Sequence, residues 1–295
     1  MDLQVFSQLL LPGLTTGCVY ALVALGFVLT ANVSGVVNFA QGEYVMLGGV
    51  VAAALAGEGV PLALAAAAAT AVGAALAAAQ ERLTLAPVRQ APHFIRITIT
   101  LGVAVVLRGL ALILFGKDPL FLPGFSGDGV FTLLGAVLPL QSLWVWLATA
   151  VLLAATFWLL HFTDTGRAIR ACAINLPAAR LMGVDAGRLT LIVFALAGGT
   201  GALAGVVITP IVLANWDAGL AYGIKGFIGA ILGGFRSPLV AVLGGLGIGV
   251  VESLAAGYVS SGYKDAIVYG VLIAYLLVRG GVFLAGRAAL ARGAE

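Results

Sequence analysis

The chain has 295 residues, 62% hydrophobic and only 9% charged, with a mean hydropathy of +1.13. Soluble domains carry roughly 25% charged residues, so this composition cannot cover a water-exposed surface, and lipid must be the main solvent. The net charge of +3 is scattered among loops, which argues against a nucleic-acid face, and Cys18 and Cys172 lie too far apart to suggest a disulfide or metal framework.

The first apolar run, Leu9–Ala31, has neither the basic flank nor the small-residue cleavage site of a signal peptide. It is expected to remain as a membrane span. A span needs about 20 apolar residues. Six further runs qualify: Leu62–Leu85, Ile97–Phe115, Leu143–His161, Leu189–Leu213, Leu239–Tyr258 and Ile267–Leu284. Two more, Gly42–Ala56 and Ile224–Phe235, are short, as discontinuous transporter helices are. The expectation is an all-α polytopic membrane protein of eight or nine crossings, forming one transmembrane domain over residues 1–295. Gly-x-x-x-Gly pairs at Gly13/Gly17, Gly201/Gly205, Gly229/Gly233 and Gly245/Gly249 favour closely packed helices.

Arginines set the expected sidedness. Arg82, Arg89 and Arg96 share one loop, and Arg167, Arg170, Arg180 and Arg188 share another. Arg236 falls in a tight turn, and Arg279, Arg287 and Arg292 lie near the C-terminus. The positive-inside rule turns these segments toward the cytoplasm. With nine crossings the N-terminus is outside and the C-terminus inside. The opposite loops hold Asp2, Glu58, Asp118, Asp128, Asp217 and Asp265, and the longest of them, Gly116–Gln141, reads as an irregular cap rich in Pro and Gly.

Polar groups interrupt the apolar runs at three places. In the stretch from Asn32 to Glu43, Asn38, Gln41 and Glu43 either line a translocation path or form a plain cytoplasmic turn. Broken backbone at membrane depth survives only inside protein or beside a cavity. Glu252 and Arg108 each sit inside an apolar run, where a lone charge costs about 2.5–3.5 kcal/mol. A Glu252–Arg108 pair would relieve both; Glu252 is otherwise a structural clamp or a pathway group. Trp144, Trp146 and Trp158 suit interfacial anchoring, and Trp216 with Tyr222 is placed at the outer mouth. His93 and His161 fall at span ends and are not expected to be ligands.

The third place is a polar island, Phe162 to Arg188. Thr163 or Asp164 can cap a short helix reaching Cys172, and Asn175 can cap a second with Pro177 in its first turn. Gly183 supplies the stop. Leu176, Ala179 and Met182 are expected on one side of the second helix, with Arg180 exposed. The island is either a solvated loop near anionic lipid or a docking element for a soluble partner.

Four ordered motifs carry a family resemblance. Thr165-Gly-Arg-Ala-Ile-Arg-Ala-Cys-Ala-Ile-Asn175, followed by Ala178-Ala-Arg-Leu-Met-Gly-Val184, resembles the cytoplasmic loop of permeases from branched-chain amino acid ABC importers. Asn38-Phe-Ala-Gln-Gly-Glu43, Ala230-Ile-Leu-Gly-Gly-Phe235 and Tyr263-Lys-Asp265 also resemble that family's motifs. The likeness runs from about Leu9 to Leu284. It implies a multi-pass permease of the bacterial inner membrane that forms half of a path for hydrophobic amino acids. It implies a second homologous permease, two cytoplasmic ATPase subunits and a periplasmic or extracellular solute-binding protein as partners. Coupling to the ATPase would fall on Gly166, Arg167, Ala168, Arg170, Ala171, Asn175, Ala179, Arg180 and Gly183 within the 162–188 loop. The sequence departs from the family at Gln41, usually His, at Asn32, commonly Gly, and at Arg236-Ser-Pro-Leu-Val, in place of Gly-Ser-Ile-Pro-Gly.

No Walker A loop is present, because Gly116-Lys117 lacks the upstream Gly and is followed by Asp118. No Ser/His/Asp grouping appears either, so the chain is expected not to be an enzyme, and to need no cofactor or metal. Energy for ATP-driven transport must then enter through a partner. The competing reading is an ion-coupled secondary transporter or channel for a small polar solute, with Glu43 and Glu252 carrying protons. Relatives in the importer family that the chain resembles also carry other amino acids, urea or small amides, and aromatic acids, so the substrate stays open.

Overall fold

The computed structural model describes residues 3–235 and 237–292, with side chains placed up to Arg279. Arg236 and Asp2, and the side chains of Arg287 and Arg292, lie outside the described residues. The molecule is an all-α polytopic membrane protein. Six helices are long and apolar enough to span: α1 (Leu3–Ser34), α3 (Leu62–Gln80, continued by a π turn Glu81–Leu85), α4 (His93–Phe115), α5 (Gln141–Phe162), α8 (Ala186–Val212) and α10 (Pro238–Tyr258). The two short runs become α2 (Gln41–Gly57) and α9 (Ala218–Leu232), and the last apolar run lies in α11 (Lys264–Arg292). The island forms α6 (Asp164–Ile174) and α7 (Leu176–Leu181).

The segment expected as an irregular cap contains a β-hairpin, β1 (Val130–Leu133) paired with β2 (Ala136–Pro139). Its turn is Leu134-Gly135, both at positive φ (51° and 80°). That pairing matches the twist of a two-residue hairpin loop. The hairpin is held to α1, where Gln8 exchanges two hydrogen bonds with the Val137 backbone. A single bridge, Leu120 to Ala214, ties the same cap to the end of α8.

Helix packing follows the glycines. A Cβ on Gly249 would sit 2.3 Å from the Gly17 backbone and 2.5 Å from the Gly13 carbonyl. Gly245 is pressed equally close to Ala21, and Gly229 to Gly245. On the other side Gly205 meets the Val45 carbonyl and Gly48 meets Ala202. All four glycine pairs therefore lie at helix crossings. In lipid, close backbone approach maximises dispersion contacts where no hydrophobic driving force acts between helices.

These contacts disclose an inverted repeat that the sequence does not display. α1 runs antiparallel to α10 and parallel to α9, through Gly17–Leu246 and Val23–Gly226. In the same way α8 runs antiparallel to α3 and parallel to α2, through Gly198–Ala77 and Gly205–Val45. The halves α1–α4 and α8–α11 thus correspond, with α5 to α7 between them. The short helices α2 and α9 meet start to start, Gly42 against Gly219 and Gly223. Neither can span a core of about 30 Å, since 17 and 15 residues reach only about 26 and 23 Å.

Candidate functional site

The start of α2 lies deep in the bundle. Gln41 abuts Gly26, eight residues before the end of α1, or about 12 Å along the axis. Asn38 and Gln41 are fully buried and Glu43 is 2% exposed. A plain solvated turn is therefore ruled out for these three. The physical reason is the left-handed Gly35, which folds the chain back between α1, α4 and α8.

A polar seam runs through this point. Tyr44 donates to the Gln80 side-chain oxygen Oε1, and Gln80 Nε2 donates to Asn38 Oδ1 at 2.8 Å. Gln41 donates to the Ala197 carbonyl on α8 at 2.8 Å. Arg108 on α4 pairs with Glu43. Asn38 Nδ2, Gln41 Oε1 and Glu43 Oε2 are buried and find no protein partner among the described residues. Buried polar atoms are normally satisfied, so three such atoms in one seam set it apart from the apolar packing around it. The Gln at 41 occupies a tight slot, with its amide pressed on Gly26 and near Gly201.

The expected Glu252–Arg108 pair does not form. Arg108 lies in the first half of the repeat and Glu252 in the second, and each finds a partner within its own half. Lys225 on α9 reaches Glu252 at 2.6 Å and Asp265 on α11 at 2.9 Å. Lys264 approaches Glu252 at 3.3 Å, and Tyr20 on α1 donates to its other oxygen at 2.7 Å. Four helices meet on one carboxylate. Each short helix is thus tied to the last helix of its half by an ion pair with one buried member, Glu43–Arg108 and Lys225–Asp265. Lys225 escaped the sequence reading, although a lysine inside the short run Ile224–Phe235 was a signal to follow.

The island is ordered by its caps. Thr163 Oγ1 accepts from Gly166 N at 3.0 Å, Asn175 Oδ1 from Ala178 N at 3.1 Å, and Asp185 Oδ1 from Gly187 N and Arg188 N. Gly183, at φ 86°, ends α7. The backbone bonds from Arg188 and Gly187 hold the Asp185 carboxyl below its ordinary value. Ile169, Cys172 and Ala179 are buried against Leu25, Leu29 and Val33 of α1 and Leu189 and Val193 of α8, with Ala168, Ala171 and Leu176 partly buried beside them. The elbow therefore rides on the ends of α1 and α8. Gly166 is buried, and a Cβ there would lie 2.0 Å from the Leu159 carbonyl, so its role is to seat α6 on α5.

The outward face carries Arg167, Arg170, Asn175, Arg180 and Gly183. It also carries Ile174, Leu181 and Met182, which are 86%, 89% and 85% exposed. Met182 is not on the buried side as expected. It caps a six-residue helix, and the left-handed Gly183 that follows turns it outward. Three large exposed apolar tips thus lie beside three exposed arginines on the outward face. Cys18 and Cys172 are free and buried. Among the described residues no cluster of His, Cys, Asp or Glu could hold a metal.

Comparisons with known proteins agree with this architecture. The family model described as branched-chain amino acid transport system / permease component matches residues 9–276. The chain is 32% identical over 288 residues to the high-affinity branched-chain amino acid transport system permease protein LivH of Escherichia coli K12, covering 92% of this chain and 93% of the relative. It is 30% identical to BraD of Pseudomonas aeruginosa, which bears the same description, over 93% and 94% of the two chains. It is 31% identical over 255 residues to the ribose import permease protein RbsC of E. coli K12, covering 83% of this chain and 74% of the relative. No solved structure matches. A bundle with an internal inverted repeat, a polar seam at its centre and a capped elbow at one end, matched over nearly its whole length, belongs to the family of branched-chain amino acid ABC transport permeases.

Proposed function

We propose that the chain is the permease subunit of a bacterial inner-membrane ABC importer and forms half of a path for branched-chain or other hydrophobic amino acids. The whole chain acts as one transmembrane domain of eight or nine crossings, the short helices α2 and α9 crossing only together with their adjoining non-helical segments, with the N-terminus outside and the C-terminus in the cytoplasm. Residues 162–188 take the push of separate ATPase subunits, while a second homologous permease completes the path and a solute-binding protein delivers the cargo. The chain itself hydrolyses nothing. The observation that carries this reading is the α6–α7 elbow, whose inner side is packed on α1 and α8 while Ile174, Leu181 and Met182 project outward. Clustered apolar tips on a capped elbow at the end of the bundle suit burial against another protein, and a groove in a partner would cover them.

The seam at Asn38, Gln41 and Glu43, and the clamp at Glu252, stand where an elbow movement transmitted along α1 and α8 would be felt. The ion-coupled alternative asks Glu43 and Glu252 to exchange protons freely. Both are held in ion pairs, with Arg108 and Lys225, contacts that a structural role accounts for without any proton exchange. The ribose import permease is similar over 83% of this chain, so the amino acid assignment rests on the likeness to LivH and BraD over 92% and 93% of it. The test is Leu181→Asp with Met182→Asp in the complex reconstituted with its ATPase and binding protein. Leucine uptake should fall at least tenfold while membrane insertion is unchanged. Normal uptake with normal ATPase stimulation would remove the elbow from the mechanism.

A further inference from the structure

A cavity opens at the elbow end of the bundle, away from the seam. It encloses about 280 Å³ between the ends of α1 and α3, the start of α4, and α7. That is close to the lower limit for small-molecule pockets of about 300 Å³, so it fits one small metabolite. Its walls are of two kinds. Leu85 and Leu176 contribute apolar surface, while Glu81, Arg89, Arg96 and Arg180 contribute charge.

The charges are unevenly committed. Arg89 is engaged by Glu81 Oε1. Arg96 donates through Nη1 to the Ser34 carbonyl at 3.2 Å, but its Nε is buried and finds no acceptor among the described residues. Glu81 is 1% exposed, and its second oxygen, Oε2, likewise finds no donor. The half-buried Arg96 guanidinium, short of an acceptor at Nε, and the buried Glu81 carboxylate, short of a donor at Oε2, therefore line one small chamber. A ligand bearing both a carboxylate and an ammonium, with a short apolar tail, complements a lining that carries both signs of charge beside apolar surface. Guanidinium groups suit carboxylates by their fork of donors, and Leu85 and Leu176 suit a branched tail.

We propose that this cavity is a binding site for a free α-amino acid of the transported class, on the face to which the cargo is released. The proposal rests on the importer reading for its topology and choice of ligand. In it Arg96 and Arg180 hold the ligand carboxylate, and Glu81 receives its ammonium. Because Leu176 and Arg180 belong to α7, a bound ligand fastens the elbow to α1 and α3. Any elbow state that opens the cavity then binds the ligand less well, and the ligand opposes that state by the same factor. Accumulated cargo thereby slows its own import.

The experiment is calorimetric titration of the purified permease–ATPase complex in nanodiscs, without nucleotide. The probes are L-leucine, isovalerate, which lacks the ammonium, and isoamylamine, which lacks the carboxylate. L-leucine should titrate a saturable site, and either analogue should bind roughly tenfold more weakly or worse, as expected when a charged hydrogen-bonding partner is lost. Arg180→Gln, at an exposed position that folding tolerates, and Glu81→Gln should each weaken leucine binding about tenfold. No leucine binding at millimolar concentration overturns the proposal, as does wild-type affinity in both variants or equal affinity for all three probes. Uptake in proteoliposomes is scored separately. Uptake without leucine binding sinks the cavity site alone, whereas leucine binding without uptake sinks the importer reading and leaves the site standing.

Discussion

Replacing Lys225 by Met is expected to destabilise the fold by about 3 kcal/mol, the lower end of the range for breaking a buried pair. Lys225 and Glu252 are 7% and 9% exposed and their charged atoms lie 2.6 Å apart. Without Lys225, Glu252 keeps the Tyr20 hydroxyl at 2.7 Å and Lys264 at 3.3 Å, and Lys264 is 40% exposed. Those two contacts hold the loss at the lower end. Glu252→Leu leaves Lys225 with Asp265 at 2.9 Å, half in solvent, and should cost a similar amount. The double variant Lys225→Met with Glu252→Leu removes both charges and leaves none stranded deep in the bundle. It should cost no more than either single change, giving a coupling of about 3 kcal/mol. Unfolding in mixed micelles, followed by tryptophan fluorescence as SDS is added, measures all four corners of the cycle. Strictly additive costs near 6 kcal/mol, or a single variant within about 0.5 kcal/mol of the parent, would refute the idea that these two charges act as one unit.

The glycine crossing predicts that Gly249→Ala costs about 2 kcal/mol by wedging α10 off α1. Gly247→Ala, which meets nothing within 4 Å, should stabilise by up to about 1 kcal/mol through helix propensity, and equal effects in the same unfolding assay would discredit the crossing. Thr163→Ala removes the cap of α6 and should cost about 1 kcal/mol; hydrogen exchange at residues 164–167 should rise, with α8 unaffected. The lowered carboxyl of Asp185 means that its capping contribution is fully present above the ordinary Asp value of about 3.9 and is lost only as pH falls through the lower folded value. Exchange at residues 187–189 should therefore stay slow down to that pH, and a loss of protection already near pH 6 would contradict the assignment.

The nine apolar runs were legible because lipid leaves a span no other solution: every backbone group must be satisfied within the helix. The caps at Thr163 and Asn175 and the stop at Gly183 were legible for a similar reason, since local hydrogen bonding needs only neighbours in the chain. The glycine pairs announced close packing but not which helices would cross. The hairpin at Val130–Pro139 was hidden because four-residue strands in a Pro- and Gly-rich segment carry little periodic signal.

Partnership was the property that only tertiary structure decided. Arg108 and Glu252 looked like a natural pair until the repeat placed them in different halves. Asn38, Gln41 and Glu43 looked as ready for water as for the interior until Gly35 turned the chain inward. The outward swing of Met182 and the cavity beside Arg96 likewise depend on contacts between segments far apart in the chain. Chain order sets solvent, helix and cap, which are short-range matters; which charges meet is a sum over distant neighbours, and folding alone performs it.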